Sequence, residues 1–219
     1  MIRALIFDFD GLILDTEMPS YLSWVEVFNA FDCELSEEDH AQTIGAHFDR
    51  LDLLKQRTSR RLPPDAELHA IKKKRHLELL ADLEILPGVV AWLDDAARLG
   101  LPLAVASSSS STWVTEHLRN FELLDRFAHV VCCEDGVPPK PSPDCYVTAC
   151  ERLGVEPSRA LAVEDSGNGI AAAKAAGLWC VAVPNTLTIR MDLSAADVRL
   201  ESLAGARLEQ VIARLPAPG

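Results

Sequence analysis

Apolar residues in this chain gather into short unbroken runs. The first occupies residues 2–7, carries β-branched and aromatic side chains, and stops at Asp8. Comparable runs fall at residues 101–106, 127–132, 160–163 and 178–183. A strand without polar alternation needs cover on both faces, as in a parallel sheet packed between helices. Helical patterns lie between the runs, at residues 89–99, 112–119, 144–153 and 169–176. Gly100, Gly154 and Gly177 stop three of them, glycine being the residue that best tolerates the turn after a helix. This alternation predicts an α/β fold with a doubly wound, Rossmann-like parallel sheet and right-handed crossovers.

One stretch breaks the alternation. Residues 17–83 offer no good strand but several amphipathic helical patterns. The first, at 19–31, sets Leu22, Val25 and Phe28 on one face. A second opens at Ser36, with Glu37, Glu38 and Asp39 in its first turn, where acids suit the helix dipole. Two more fall at 48–54 and 66–80. The expected organisation is an α/β core from residues 1–15 and 84–219, interrupted by an all-helical insertion at 16–83. The chain re-enters the core at Pro87-Gly88, and the tail from Pro216 is expected to fray.

Hydrophobic residues make up 48% of the 219 residues and charged residues 25%, enough apolar material for a real core. The formal charge of −12 disfavours nucleic acid and anionic membranes as partners. It also means that an anionic substrate needs a locally positive site, which a bound cation would supply. No apolar run approaches the roughly 20 residues of a membrane span. The N-terminal run meets Asp8 and Asp10 too early for a secretory signal. Cys33, Cys132, Cys133, Cys145, Cys150 and Cys180 lack CxxC spacing, which argues against a zinc or dithiol motif. The expected setting is cytoplasmic, and nothing demands more than a monomer.

Polar groups close the apolar runs. Asp8 and Asp10 follow the first, Ser107 the second, and Glu164-Asp165 the run at 160–163. In an open parallel sheet the carboxyl ends of the strands share one crevice. Lys140, in a loop stiffened by prolines, can reach the same edge. Asp8, Asp10 and Asp165 are hard oxygen donors suited to Mg²⁺. Crowded together without a cation, such acids would have raised pKa values. With one, the site can accept a phosphoryl dianion, with Ser107 donating a hydrogen bond and Lys140 a fixed charge. The loop at 108–111 leads into a helix whose first amides also favour anions. Each feature has a blander reading: a loop D-x-D, a serine helix cap, a solvated lysine, an acidic helix cap at Glu164-Asp165. Their joint occurrence at strand ends, in this order, favours a site.

Four segments carry a resemblance: Phe7-Asp8-Phe9-Asp10-Gly11 with Leu14-Asp15-Thr16-Glu17; Ala106-Ser107-Ser108; Lys140-Pro141-Ser142-Pro143-Asp144; and Glu164-Asp165-Ser166 with Gly169. Together they resemble the haloacid dehalogenase-like superfamily, in the branch of β-phosphoglucomutase and sugar-phosphate phosphatases. The likeness covers essentially the whole chain, the helical insertion corresponding to that branch's cap. It implies that Asp8 attacks phosphorus and that Asp10 serves as acid and then base. It further implies that Mg²⁺ is held by Asp8, the Asp10 main-chain carbonyl and Asp165, with Glu164 bound directly or one shell out. Ser107 and Lys140, with Ser108 and Gly11 beside them, would bind the phosphoryl group.

Mutases of that branch carry a His where this chain has Ser20. They also carry an Arg shortly after a cap Gly, whereas Gly45 here precedes Ala46-His47-Phe48 and Arg50 is displaced. Simple hydrolysis of a small phosphorylated metabolite is therefore expected, with a phosphosugar mutase and a catalytically silent metabolite-binding relative as the alternatives. His47, Arg50 and Lys72, Lys73 and Lys74 are candidate cap contacts, although the basic run also reads as a solvated helix face. A dehalogenase would not need Asp10 or the acidic pair. A phosphorylatable receiver would be shorter and carry its aspartate on a middle strand, where this chain has Cys132-Cys133-Glu134-Asp135.

Overall fold

The computed structural model describes residues 1–43, 50–133 and 137–215. The chain divides into two compact units, residues 1–14 with 85–219, and residues 15–84. Gly45, Ala46, His47 and Phe48, the acids Glu134 and Asp135, and the tail from Pro216 lie outside the described residues.

The first unit is built on a six-stranded sheet. Its strands are β1 (Ala4–Phe7), β2 (Leu103–Ser107), β3 (His129–Cys132), β4 (Ala160–Glu164), β5 (Trp179–Ala182) and β6 (Val198–Arg199). They run in the order β3-β2-β1-β4-β5-β6, with every pairing parallel. β1 lies between β2 and β4, where the strand order reverses, the usual binding crevice of a doubly wound sheet. Phe7 pairs with Val105 on one side and Val163 on the other. That register brings the residues just beyond these positions out at one edge.

The helices of this unit are α5 (Val89–Arg98), α6 (Ser111–Asn120), α7 (Asp144–Leu153), α8 (Gly167–Ala175) and, after the last strand, α9 (Leu208–Ile212). Ile6, Ala104, Ala106, Ala160, Ala162 and Cys180 pack with Cys145, Tyr146, Ala149 and Ile170 from α7 and α8. Small residues along that face let the helices approach closely. Leu5 and Phe7, one position out of phase, are also fully buried, as strands covered on both faces require. α5 buries Val89, Trp92, Leu93 and Ala96, and the Trp92 indole donates to Ala206 O at 2.8 Å.

The second unit comprises α1 (Glu17–Asn29), α2 (Glu37–Thr43), α3 (Arg50–Arg57) and α4 (Asp65–Leu80). Its core joins Trp24, Val27, Phe28, Leu35, Leu51, Leu54 and Leu68. Leu22, read from the sequence as inward-facing, is 40% exposed. It lies two residues, about 200° of helix rotation, from Trp24, which anchors the buried stripe instead. The start of α2 is a capping box: the Asp39 amide donates to Ser36 Oγ, and the Ser36 amide donates back to Asp39 Oδ2, both at 3.1 Å. Among the described residues no helix is long and apolar enough to cross a membrane.

Candidate active site

Asp8 is the first residue beyond β1, and its amide still donates to Val163 O at 2.9 Å, so the backbone holds it at the sheet edge. Ser107 ends β2, Glu164 ends β4 and Asp165 follows it; all are buried, as is Lys140. Lys140 Nζ donates to Asp8 Oδ1 at 2.5 Å and to Glu164 Oε1 at 2.6 Å. The Lys140 amide donates to Ser108 Oγ at 3.1 Å, so Ser108 fixes the loop that delivers the ammonium.

The electrostatics follow from this burial. Loss of water pushes the Asp8 carboxyl up to about 8; Lys140 pulls against that rise, and the Glu164 carboxylate adds to it. Burial works against charge on Lys140 too, but Asp8 and Glu164 outweigh it and hold the ammonium above its ordinary range. One ammonium thus faces more than one acid, and a further positive charge would let Asp8 ionise fully.

Glu164 makes contacts that the sequence reading did not anticipate. The Tyr146 phenol donates to Oε1 at 2.6 Å, while the amides of Asp165 and Ser166 and the Ser166 hydroxyl reach Oε2 at 3.2–3.5 Å. Burial, reinforced by Glu164, raises the Tyr146 pKa well above normal, so the phenol remains a donor. The carboxylate also explains Gly169: a Cβ there would lie 2.0 Å from its atoms. Ser166, not the acidic pair, caps α8, its hydroxyl accepting from the Gly169 amide. Likewise Ser110 caps α6. The serine run therefore supplies both the helix cap and the site hydroxyls.

Asp165 is fixed by Asn185, which lies beyond β5 and which no motif singled out. Its Nδ2 donates to Asp165 Oδ2 at 2.8 Å and to Gly11 O at 3.2 Å, while its Oδ1 accepts from the amides of Leu187 and Thr188. Gly11 sits at φ +78°, and a Cβ there would come within 2.6 Å of both Asn185 Nδ2 and Asp165 Oδ2. The glycine in the first motif is thus required by close approach as well as by backbone conformation.

Asp8, Glu164 and Asp165 each offer an oxygen, all within 4.8 Å of one another. Such an oxygen set fits a hard divalent cation. The Asp10 side chain is turned elsewhere: Oδ1 accepts from Trp113 Nε1 at 3.0 Å, and Oδ2 from Ser109 Oγ at 2.5 Å. Ser107 Oγ stands 3.5 Å from Asp10 Oδ2 and accepts from the Ser109 amide at 3.0 Å. The structure therefore joins Asp8, Lys140, Glu164 and Asp165 in one buried cluster, with Ser107, Ser109 and Asp10 beside it.

Comparison with known proteins gives the family. The model of the haloacid dehalogenase-like hydrolases matches residues 2–177. The chain belongs to the haloacid dehalogenase-like hydrolase family. YhcW of Bacillus subtilis, a relative named as a phosphatase, is 39% identical over 98% of both chains. CbbY of Rhodobacter capsulatus is 34% identical, covering 98% of this chain and 99% of its own. A variant of Rhodobacter sphaeroides CbbY, solved in complex with xylulose-(1,5)-bisphosphate, superposes with a TM-score of 0.77 at 31% identity, over 99% of this chain and 100% of that one. With such relatives along its full length, the chain is an enzyme of the family's phosphatase kind.

Proposed function

We propose that the protein is a Mg²⁺-dependent phosphatase acting on a small phosphorylated metabolite, a sugar phosphate or related monoester, through a phosphoryl group carried on Asp8. The observation that carries this reading is the buried Asp8 carboxylate against the Lys140 ammonium, with the β4 acids alongside. In the first step an Asp8 oxygen bonds to phosphorus while the ester oxygen departs with a proton from Asp10. In the second, water gives a proton to Asp10 and attacks phosphorus. The bond to Asp8 breaks, and inorganic phosphate leaves. Lys140 and Ser107 bind the phosphoryl oxygens, where positioning and charge supply most of the acceleration. Ser108 and Gly11 shape the surrounding loops.

Asp8, Asp165 and the Asp10 carbonyl would hold the cation. When bound, it supplies charge that keeps Asp8 ionised and balances the transferring group. Both Glu164 oxygens already accept hydrogen bonds, from Lys140, Tyr146 and neighbouring amides. Glu164 therefore serves the site as the anchor of Lys140, one shell from the metal.

The bisphosphate sugar bound by the CbbY variant supports a sugar-phosphate substrate. Selection among such substrates is assigned to the helical unit. Two features favour hydrolysis over mutase chemistry. Ser20 replaces the mutase His, and the Arg50 guanidinium is committed to His40 Nδ1 at 3.1 Å. The described cysteines are free thiols, in keeping with a reducing cytoplasm.

Phosphate release from a panel of phosphorylated sugars tests the assignment. Asp8→Asn should bring release to background while leaving the thermal transition in place; undiminished turnover would remove Asp8 from the mechanism. With β-glucose 1-phosphate the expected product is free phosphate, and glucose 6-phosphate would identify a mutase instead.

A further inference from the structure

We propose that Trp113 and Ser109 are positioning residues for the reaction, together holding the Asp10 carboxylate beside the phosphoryl-binding Ser107. The proposal rests on the assignment of Asp10 as the group that gives and takes the proton. A proton is transferred efficiently only when donor and acceptor stay within about 2.6–3.2 Å. Asp10 leaves β1 on a turn, and an aspartate side chain there has staggered alternatives that would carry its carboxylate away. Two donors on different oxygens remove that freedom. The indole N–H takes Oδ1 at 3.0 Å, and the Ser109 hydroxyl takes Oδ2 at 2.5 Å. Each oxygen has its own tether, so the carboxylate plane is fixed as well as its location.

The tethers are themselves held. Trp113 stands in the first turn of α6, its amide donating to the cap Ser110 at 3.3 Å. The His117 ring, one turn on, lies 3.9 Å from the indole, and His117 Nδ1 is 2.8 Å from Trp113 O. His117 also makes a T-shaped contact with Phe9, the residue before Asp10, with ring centroids 6.2 Å apart. A closed circuit thus runs from Phe9 through His117 and Trp113 back to Asp10. Ser109 is fixed through its amide to Ser107 Oγ. A tie that merely packed α6 against the β1 turn would not need an indole N–H aimed at a carboxylate, since that group can only donate.

The leaving group separates positioning from packing. p-Nitrophenolate departs with little help from an acid, whereas an alkoxide needs its proton. The ratio kcat/KM reads all steps through transfer of the phosphoryl group to Asp8. Trp113→Phe keeps a ring but removes the donor. It should lower kcat/KM for an alkyl phosphate such as glycerol 2-phosphate about tenfold or more, a part of the 10²–10⁴ that such catalysis supplies. The value for p-nitrophenyl phosphate should change less than about threefold. Ser109→Ala should show the same selective loss, and Ser109→Thr, which keeps the hydroxyl, should restore activity on the alkyl phosphate. Equal losses on both substrates, or no loss on either, would overturn the proposal. Asp10→Asn calibrates the test. If it shows strong leaving-group selectivity and the Trp113 and Ser109 variants do not, positioning alone fails. If Asp10→Asn shows none, the parent assignment fails and the proposal falls with it.

Discussion

At the scale of single residues, the site is governed by what cannot be enlarged or moved. Glu164 is buried, and its two oxygens face Lys140, Tyr146 and the amides of the β4–α8 turn. Gly169 leaves no room beside it, because a Cβ would sit 2.0 Å from the carboxylate. The neighbour that must give way is a pinned group, not the loose end of a long side chain. Gly169→Ala is therefore expected to displace Glu164, release Lys140 and lower phosphate turnover at least tenfold. Overpacking of this kind costs about 1–3 kcal/mol of stability, readable as a reduced urea midpoint. Full activity in Gly169→Ala would mean that the Glu164–Lys140 contact does not matter to catalysis. The motif glycine was legible in the sequence; its reason was not, because the clash is between α8 and the end of β4.

At the scale of elements, the unbroken apolar runs announced β1 to β5 because a doubly covered strand reads as a short apolar stretch, too brief for a helix and bounded by polar residues. β6 escaped notice because Val198–Arg199 is too short to leave a periodic trace, and α9 is only a five-residue helix. The site was legible where chemistry stands at strand ends, as with Asp8, Ser107 and Asp165. It was illegible for Tyr146, Asn185 and Trp113, whose partners are distant in sequence and whose own neighbours spell no motif. The helical unit carries a separate consequence of packing. His40 is fully buried beside Tyr21, with Arg50 donating to Nδ1 and Glu17 3.8 Å from Nε2. Burial lowers its pKa, Glu17 opposes that and Arg50 adds to it, so folding disfavours the protonated ring. The unfolded chain takes up a proton below about pH 6.5 and the folded one resists it, so stability falls as pH drops through that value. The raised Asp8 carboxyl contributes with the opposite sign in both proteins, so the comparison is by difference: from pH 7 to 5.5 the urea midpoint of the wild type should lose ground relative to that of His40→Gln. An equal slope in both proteins would assign the effect to other groups.

At the scale of the whole molecule, an acidic protein with net charge −12 turns over an anion. The buried cluster sharpens this, since Asp8, Glu164 and Asp165 outnumber the single ammonium of Lys140 among them. Concentrated like charge destabilises the compact state, and here hydrogen bonds from Tyr146, Asn185 and the amides after β4 offset part of it. A divalent cation held there would relieve the remainder, at a geometry that exists only when β1 and β4 are paired. Such a ligand stabilises the folded state by RT ln(1 + [L]/Kd), about 2.7 kcal/mol at a hundredfold excess over Kd. For a chain of this length that corresponds to a rise in Tm of about 5–10 °C. Adding Mg²⁺ to chelated protein should produce this rise without substrate, and EDTA should reverse it. Asp165→Asn removes one anionic ligand while keeping a side chain that can still meet Asn185, so its apo Tm should hold or increase while the Mg²⁺ response shrinks. A Tm indifferent to Mg²⁺ in the wild type would mean that Lys140 alone balances the cluster. The same melting curves, run with Mg²⁺ and Ca²⁺ side by side, read the cation preference of the oxygen set, because the smaller ion demands a stricter octahedral arrangement and keeps more of its water.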